Sequence, residues 1–435
     1  MKKLIIVVLI TISLLLLAVA QEKEKKILIK NGTIVPVEGE IIPRGDLLIE
    51  HGKISAIGEK ISQPEDARVI DASEMSVYPG FIDAYTHFGL MEIGAIASTV
   101  DIRELGKENP ELKVVWAINP HSVHFKTSRI NGTTTALVAP SGGTFPGISA
   151  LIKMGGWTIQ DMVIKPEATS LINFPMTPRP PRGARLGPQE ETRADITSKL
   201  VEKIKEYLAE ARRYLELKNT AAKNPKVEPP EMNPKYEALA PVLDGSLPVI
   251  LSVEKATDIE LAIQFVQEEK IKAIFRGCAQ GLRVAQKIKE AEIPVIIDHL
   301  YRGPSEPEDG YDAPFRNVVE LARAGVKICF SSGSNPALGK DLPYHAARAV
   351  AFGLDRDEAI KALTLYPAQI FGIDDRVGSL EVEKDADLFI TTGDPLDIRS
   401  EVKHLFIDGQ ELDLSNWWEK LYRKWQKRPR KTGET

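Results

Sequence analysis

The chain has 435 residues, 43% hydrophobic and 27% charged, which is enough to bury a sizeable core and too apolar for global disorder. At roughly 100–200 residues per domain, that length holds two or three domains, or one large barrel with an appendage. The 56 basic and 61 acidic side chains leave a net charge of −5, which is no nucleic-acid signature.

The first element is a leader. Lys2 and Lys3 precede an apolar run from Leu4 to Leu17, and Ala18-Val19-Ala20 forms a small-residue cleavage site before Gln21. The run falls short of the about 20 apolar residues a membrane span needs. The pattern predicts a signal peptide over 1–20 and export to the periplasm or medium, with an uncleaved N-terminal anchor as the other reading. From Ile27 to Val77 short apolar runs alternate with turn signals at Asn31-Gly32, His51-Gly52 and Gly58, which predicts hairpins in a small β domain. Further along, strands are predicted at Tyr78–Ala84, Thr134–Ala139, Ser149–Lys153, Leu247–Ser252, Lys272–Phe275, Pro294–Asp298 and Val326–Ser331. Amphipathic stretches such as Ile259–Glu269 and Arg283–Ala291 lie between the later ones, which argues for parallel βα units in a barrel. A Pro-rich stretch from Phe174 to Pro188 interrupts the pattern. A helix follows, with Val201, Ile204, Leu208, Ala211 and Leu215 spaced by three and four. Cys278 and Cys329 sit in apolar strand-like runs and read as buried thiols rather than a disulfide framework.

Strand texture returns at Ala386–Ile390 and His404–Ile407, with a turn at Asp408-Gly409. Two β-rich ends around a different middle imply that the termini meet in one domain. Beyond it, Trp418, Leu421, Tyr422 and Trp425 recur at helical spacing among Lys420, Arg423, Lys424 and Lys427. Docking of this helix on the barrel is expected, with contact to a membrane surface as the other reading.

The stretch Tyr78-Pro79-Gly80-Phe81-Ile82-Asp83-Ala84-Tyr85-Thr86-His87 resembles the amidohydrolase superfamily, in particular members similar to imidazolonepropionases and related cyclic-amide hydrolases. Thr364-Leu365-Tyr366-Pro367-Ala368, Gly378-Ser379-Leu380 and Lys384-Asp385-Ala386-Asp387-Leu388 extend the resemblance towards the C-terminus. It implies an α/β fold: a (β/α)8 TIM-type barrel at 78–364, with a Pro-rich and helical insertion at 174–240. A composite β-sandwich-like domain from 21–77 plus 365–410 accompanies it, and a basic aromatic tail spans 411–435.

The resemblance implies a metal, usually zinc, held by imidazoles and a carboxylate at strand ends. In a strand, residues two apart face the same way, so a His-x-His pair places two imidazoles side by side. This chain has Tyr85 in the first place and keeps only His87. Ser252 and Arg276 end the strands where further His are expected, and Ile328-Cys329-Phe330-Ser331-Ser332-Gly333 carries no carboxylate. A zinc site needs about three protein ligands, so no metal ligands and no cofactor are assigned. His87 and His299, both at strand ends, are the catalytic candidates, since such groups collect at the C-terminal face of barrels. Tyr85, Ser252, Arg276 and Ser332 are the pocket candidates. His121 and His124 read as packing or surface residues, and Lys165 as the end of a strand. Ser141-Gly142-Gly143 with Gly147 reads as a glycine-rich turn. The function that the resemblance implies is hydrolysis of a non-peptide carbon–nitrogen bond in a cyclic amide or similar small molecule. A metal-free exported binding or scaffold protein is the competing reading.

Overall fold

The computed structural model describes residues 26–176, 189–298, 300–304, 306 and 309–429, with backbone alone for 189–195. The leader, most of the Pro-rich stretch and His299 lie outside the described residues.

Two sheets organise the chain. The first joins β1 (Ile27–Ile34), β2 (Ile42–Glu50), β3 (Lys53–Gly58), β4 (Arg68–Asp71) and β5 (Ser76–Pro79) to strands more than three hundred residues later. Its order is β16-β15-β14-β5-β1-β2-β3, with β4 beside β1, where β14 is Leu388–Thr391, β15 Val402–Ile407 and β16 Gln410–Glu411. Ile29, Leu47, Ile54 and Val77 share one buried core with Leu388, Ile390 and Phe406, so neither terminal segment has a complete core alone. His51-Gly52 and Asp408-Gly409 form two-residue hairpins with positive φ at both positions, matching the right-handed strand twist. Asn31-Gly32 is no hairpin. Asn31 takes a left-handed φ of 61° within β1, and the ladder to β2 is bulged there while the strand continues.

The second sheet holds eight strands in sequence order: β6 (Phe81–Thr86), β7 (Thr133–Val138), β8 (Ile148–Lys153), β9 (Val163–Ile172), β10 (Val249–Val253), β11 (Ala273–Gly277), β12 (Val295–Ile297) and β13 (Ile328–Phe330). Ser331 and Ser332 after β13 bond to Tyr85 and Asp83 of β6, which brings the two ends of the sheet together. Alternate residues feed two cores. Leu137, Leu151, Leu171, Ile250, Ile274, Ile296 and Cys329 fill the barrel interior. Val138, Ile152, Val249, Leu251, Phe275, Val295 and Phe330 pack outward under the helices.

The barrel departs from eight βα repeats at one place. β8 is antiparallel to both β7 and β9, because 139–147 turn back directly at the mouth instead of crossing over as a helix. Positive φ at Gly142, Gly143 and Gly147 makes this the glycine-rich turn expected. β9 was legible only as its first residues. Lys165 begins the strand instead of ending it, and its Nζ donates to Phe371 O, 2.8 Å away, at the end opposite the mouth.

Helices cover the outside: α1 (Val123–Arg129), α2 (Gln189–Lys223), α3 (Ala256–Glu269), α4 (Ala285–Glu290), α5 (Ala313–Arg323), α6 (Leu342–Ala351) and α7 (Arg356–Leu363). On α2, Val201, Ile204, Leu208 and Ala211 are buried as the spacing predicts. α8 (Leu365–Phe371) corrects a boundary: Ala368, Phe371, Ile373 and Val377 join the interior core, so this stretch plugs the barrel rather than beginning the β domain.

Polar groups join barrel and sheet. Lys153, at the end of β8, is buried and donates to Asp385 Oδ2 (2.9 Å), Asp387 Oδ1 (3.2 Å) and Asp408. Two of these carboxylates belong to the Lys384–Leu388 motif, which thus works as a joint. Gly80 turns β5 into β6, and a Cβ there would come within 1.9 Å of Thr134 Oγ1.

The tail helix α9 (Trp417–Gln426) corrects the docking expectation, because none of its residues is buried.

Candidate functional site

The parallel strands deliver their C-terminal ends to one mouth. A register shift against β7 between Asp83 and Thr86 puts a bulge in β6, and Tyr85 joins the interior core there. His87 follows one residue beyond the strand, with its ring 5.6 Å from that of Tyr85. His87 Nδ1 lies 2.7 Å from Ala139 O, and a carbonyl only accepts, so the proton sits on Nδ1 and the Nε2 lone pair is left as an acceptor. Burial pushes the His87 pKa down to about 4, against the Ala139 bond, so the ring is neutral at physiological pH.

Arg276, in the inward register of Ile274 on β11, carries its guanidinium 3.6 Å from the centre of the Tyr85 ring. Its Nη2 donates to Asp298 Oδ2 (2.6 Å) and Ser334 Oγ (3.2 Å). Burial opposes the charge, but Tyr85, Asp298 and Glu254 outweigh it and raise the pKa above the ordinary arginine value. Among the described residues its buried Nε has no hydrogen-bond partner. Next to this pair, Arg302 grips both Glu254 oxygens, at 2.9 and 3.0 Å.

Asp83 is fully buried between β6 and β13. It accepts from the Ser332 hydroxyl and from the Ser332 N–H at 3.1 Å. Burial pushes its pKa up to about 7 despite these bonds. Ser331 Oγ donates to Tyr85 O at 2.7 Å.

The structure therefore gathers Tyr85, His87, Arg276 and Ser332 at one mouth, while Ser252 ends β10 in the inward register of Ile250. His299 lies outside the described residues. Asp83, Asp298 and Glu254 were missed. Asp83 lies inside the very motif that carried the resemblance, in the middle of β6, whereas Asp298 and Glu254 each follow directly on a strand, where a carboxylate was a readable signal. Three other histidines are tied into the structure away from this group: His124 Nε2 pairs with Glu92 O at 3.0 Å, His345 Nδ1 accepts from Leu300 N–H at 3.4 Å, and His404 pairs with Glu411, while His51 and His121 are exposed. Cys278 and Cys329 are buried free thiols.

The family's metal does not fit these residues. Of the expected ligand positions only His87 keeps its imidazole, the others hold a phenol, hydroxyls and a guanidinium, and the described residues contain no group of three His, Cys, Asp or Glu placed to hold an ion. Arg276 puts a permanent cation against Tyr85, where a second cation would be repelled.

Comparison with known proteins supports the fold and its lineage. An amidohydrolase from Thermotoga maritima MSB8 superposes with a TM-score of 0.79 at 26% identity, over 89% of this chain and 99% of that one. The sequence model described as Amidohydrolase family matches residues 281–412. In fold over most of its length, and in sequence over this C-terminal part, the chain is similar to the amidohydrolase family. Among curated relatives, the chain is 21% identical over 405 residues to amidohydrolase tasK of Hapsidospora irregularis, covering 84% of itself and 39% of that protein. D-phenylhydantoinase of Escherichia coli (strain K12 / DH10B) is 40% identical over 76 residues, 18% of this chain and 16% of that one. The chain thus spans about two-fifths or less of the length of these curated relatives.

Proposed function

We propose that the barrel mouth hydrolyses a non-peptide carbon–nitrogen bond of a cyclic amide or similar small molecule, with Arg276 in the electrophilic role. The carrying observation is the buried Nε–H of Arg276, which finds no hydrogen-bond partner among the described residues. A buried donor left unpaired costs about 1–3 kcal/mol, which a ligand oxygen would offset. The fixed guanidinium then stabilises the oxyanion that forms as water attacks the amide carbonyl. Neutral His87 accepts the water proton at Nε2 and returns it to the leaving nitrogen. Relatives named as amidohydrolase, D-phenylhydantoinase and dihydroorotase support the reaction class. The leader pattern supports export as the setting.

A second reading rests on one observation. Ser331 and Ser332 are committed to Tyr85 O and Asp83, so neither is poised as a nucleophile, which suits a protein that binds without turnover.

The test is turnover of hydantoins and dihydropyrimidines with and without chelator, for wild type and Arg276→Met. Chelator-resistant turnover, lost in a folded Arg276→Met protein, is expected. Turnover that needs one divalent ion per chain would sink the mechanism. No turnover, but a rise in melting temperature with the same compounds, would select the binding reading.

A further inference from the structure

Among the described residues nothing buries the tail helix, and its chemistry specifies a partner. At 3.6 residues per turn, Trp417, Trp418, Leu421, Tyr422 and Trp425 fall within one arc of about 140°, and Lys420, Arg423, Lys424 and Lys427 occupy the opposite side. The four aromatic rings of this arc are 59–66% exposed. An apolar stripe of that width normally packs on a core, and here it faces solvent. The helix is nonetheless built as a unit. Asn416 caps its start by accepting from Glu419 N–H at 3.0 Å, and Glu419 pairs with Arg423 one turn on, so the helix's single acid is neutralised within it.

A second observation lies outside the helix. All five tryptophans of the chain are more than half exposed, although tryptophan is usually well buried. Three are on α9. A fourth, Trp157, is 85% exposed two residues beyond Gly155, where Leu412 packs so closely that a Cβ would come within 2.6 Å of it. With Trp116 elsewhere, four of the five thus lie on the tail helix or follow the segment on which Leu412 packs. The chain also enters its fold at this edge: Ile27 pairs with Arg68, and Arg68 bridges Glu411 at 2.5 Å.

We infer that α9, with Trp157, is a docking face for an anionic phospholipid surface. The helix lies in the membrane plane, its rings enter the boundary between headgroups and acyl chains, and its basic side meets lipid phosphates. Charge complementarity points to this occupant: the basic side carries one acid, Glu419, already paired with Arg423, and is left to meet anionic phosphates. β8 runs against the other strands, so Gly155 and Trp157 lie at the end opposite the mouth. The mouth then faces away from the membrane.

The test is cosedimentation and tryptophan emission of the full chain with vesicles of phosphatidylglycerol mixed with phosphatidylcholine, and with phosphatidylcholine alone. Any effect of the N-terminal apolar run is common to the wild type and all variants. Expected are salt-sensitive binding with a blue shift to the mixed vesicles, and a loss of at least about tenfold in partition for the combined Lys420→Glu, Arg423→Glu and Lys424→Glu variant, whose body melts unchanged. Equal loss is expected for Trp418→Ser with Trp425→Ser. Binding that is absent, equal on uncharged vesicles, or unaffected by these variants would overturn the inference. So would a lipid-free dimer that dissociates on Trp418→Ser with Trp425→Ser, which would assign the face to a second copy.

Discussion

Replacing Lys153 by Met tests the joint between barrel and sheet. Lys153 faces three carboxylates whose fates differ once it is gone. Asp385 keeps Arg376 at 2.7 Å and Lys53 at 3.3 Å, and the Asp408 side chain is half exposed. Asp387 is fully buried and would retain only the Asp408 N–H at 2.8 Å. Burial already holds its pKa up to about 6, against the lowering effect of Lys153, so removing that cation raises it further. The sign follows. Below about pH 4 the unfolded chain also holds the proton, and stability from this group is fully present. As pH rises towards the folded pKa, stability falls by up to about 1.4 kcal/mol per unit. In wild type this fall ends near 6, and in Lys153→Met it continues past 7. The variant should therefore lose about 1–2 kcal/mol at about pH 5, from the bonds to Asp385 and Asp408, and about 3–5 kcal/mol at about pH 8. Urea unfolding at both pH values measures this, and adding Asp387→Asn should recover most of the loss at the higher one. An equal loss at both, or one under about 1 kcal/mol at about pH 8, would refute the reasoning.

Asp83→Asn should flatten the pH dependence of melting. The wild-type carboxyl, raised to about 7, contributes stability that is lost as pH rises through that value, and parallel melting curves for the two proteins would contradict this. Gly80→Ala forces its methyl onto Thr134 and should cost about 2 kcal/mol or more, read as a lower melting temperature; an unchanged midpoint would mean the joint relaxes freely. Burial raises the thiol pKa of both Cys278 and Cys329, so both should resist a thiol reagent in the native state and react on denaturation, whereas immediate labelling would show an open core.

The fold was legible because its markers are local. The run from Pro79 to His87 combines a tight approach at Gly80 with a buried strand, and the Lys384–Leu388 motif places charges that meet Lys153. Strand direction is a different matter. Apolar residues of β8 look the same running up or down, and only the short, glycine-rich return from β7 marks the reversal. β9 escaped because Pro166 near its start reads as a terminator, although the strand runs six residues beyond it. At the mouth, absent family ligands were visible by type. What stands in their place depends on which side chains the barrel brings within reach, and the Arg276–Tyr85–Asp298 group unites three strands that the sequence keeps far apart. The tail's apolar stripe was visible, but a stripe alone says nothing of what covers it.

The pairing of β5 with β14 sets a timetable for synthesis. Pro79 meets Leu388, 388 − 79 = 309 residues later. At roughly 5–20 residues per second, one side of β5 therefore waits some 15–60 s for its neighbour. Over that interval Val77 and Tyr78, buried in the finished protein, can join β1 on one side but lack their β14 neighbours on the other. The open edge of the nascent N-terminal strands is thus closed last, and the last strands to be made complete the first.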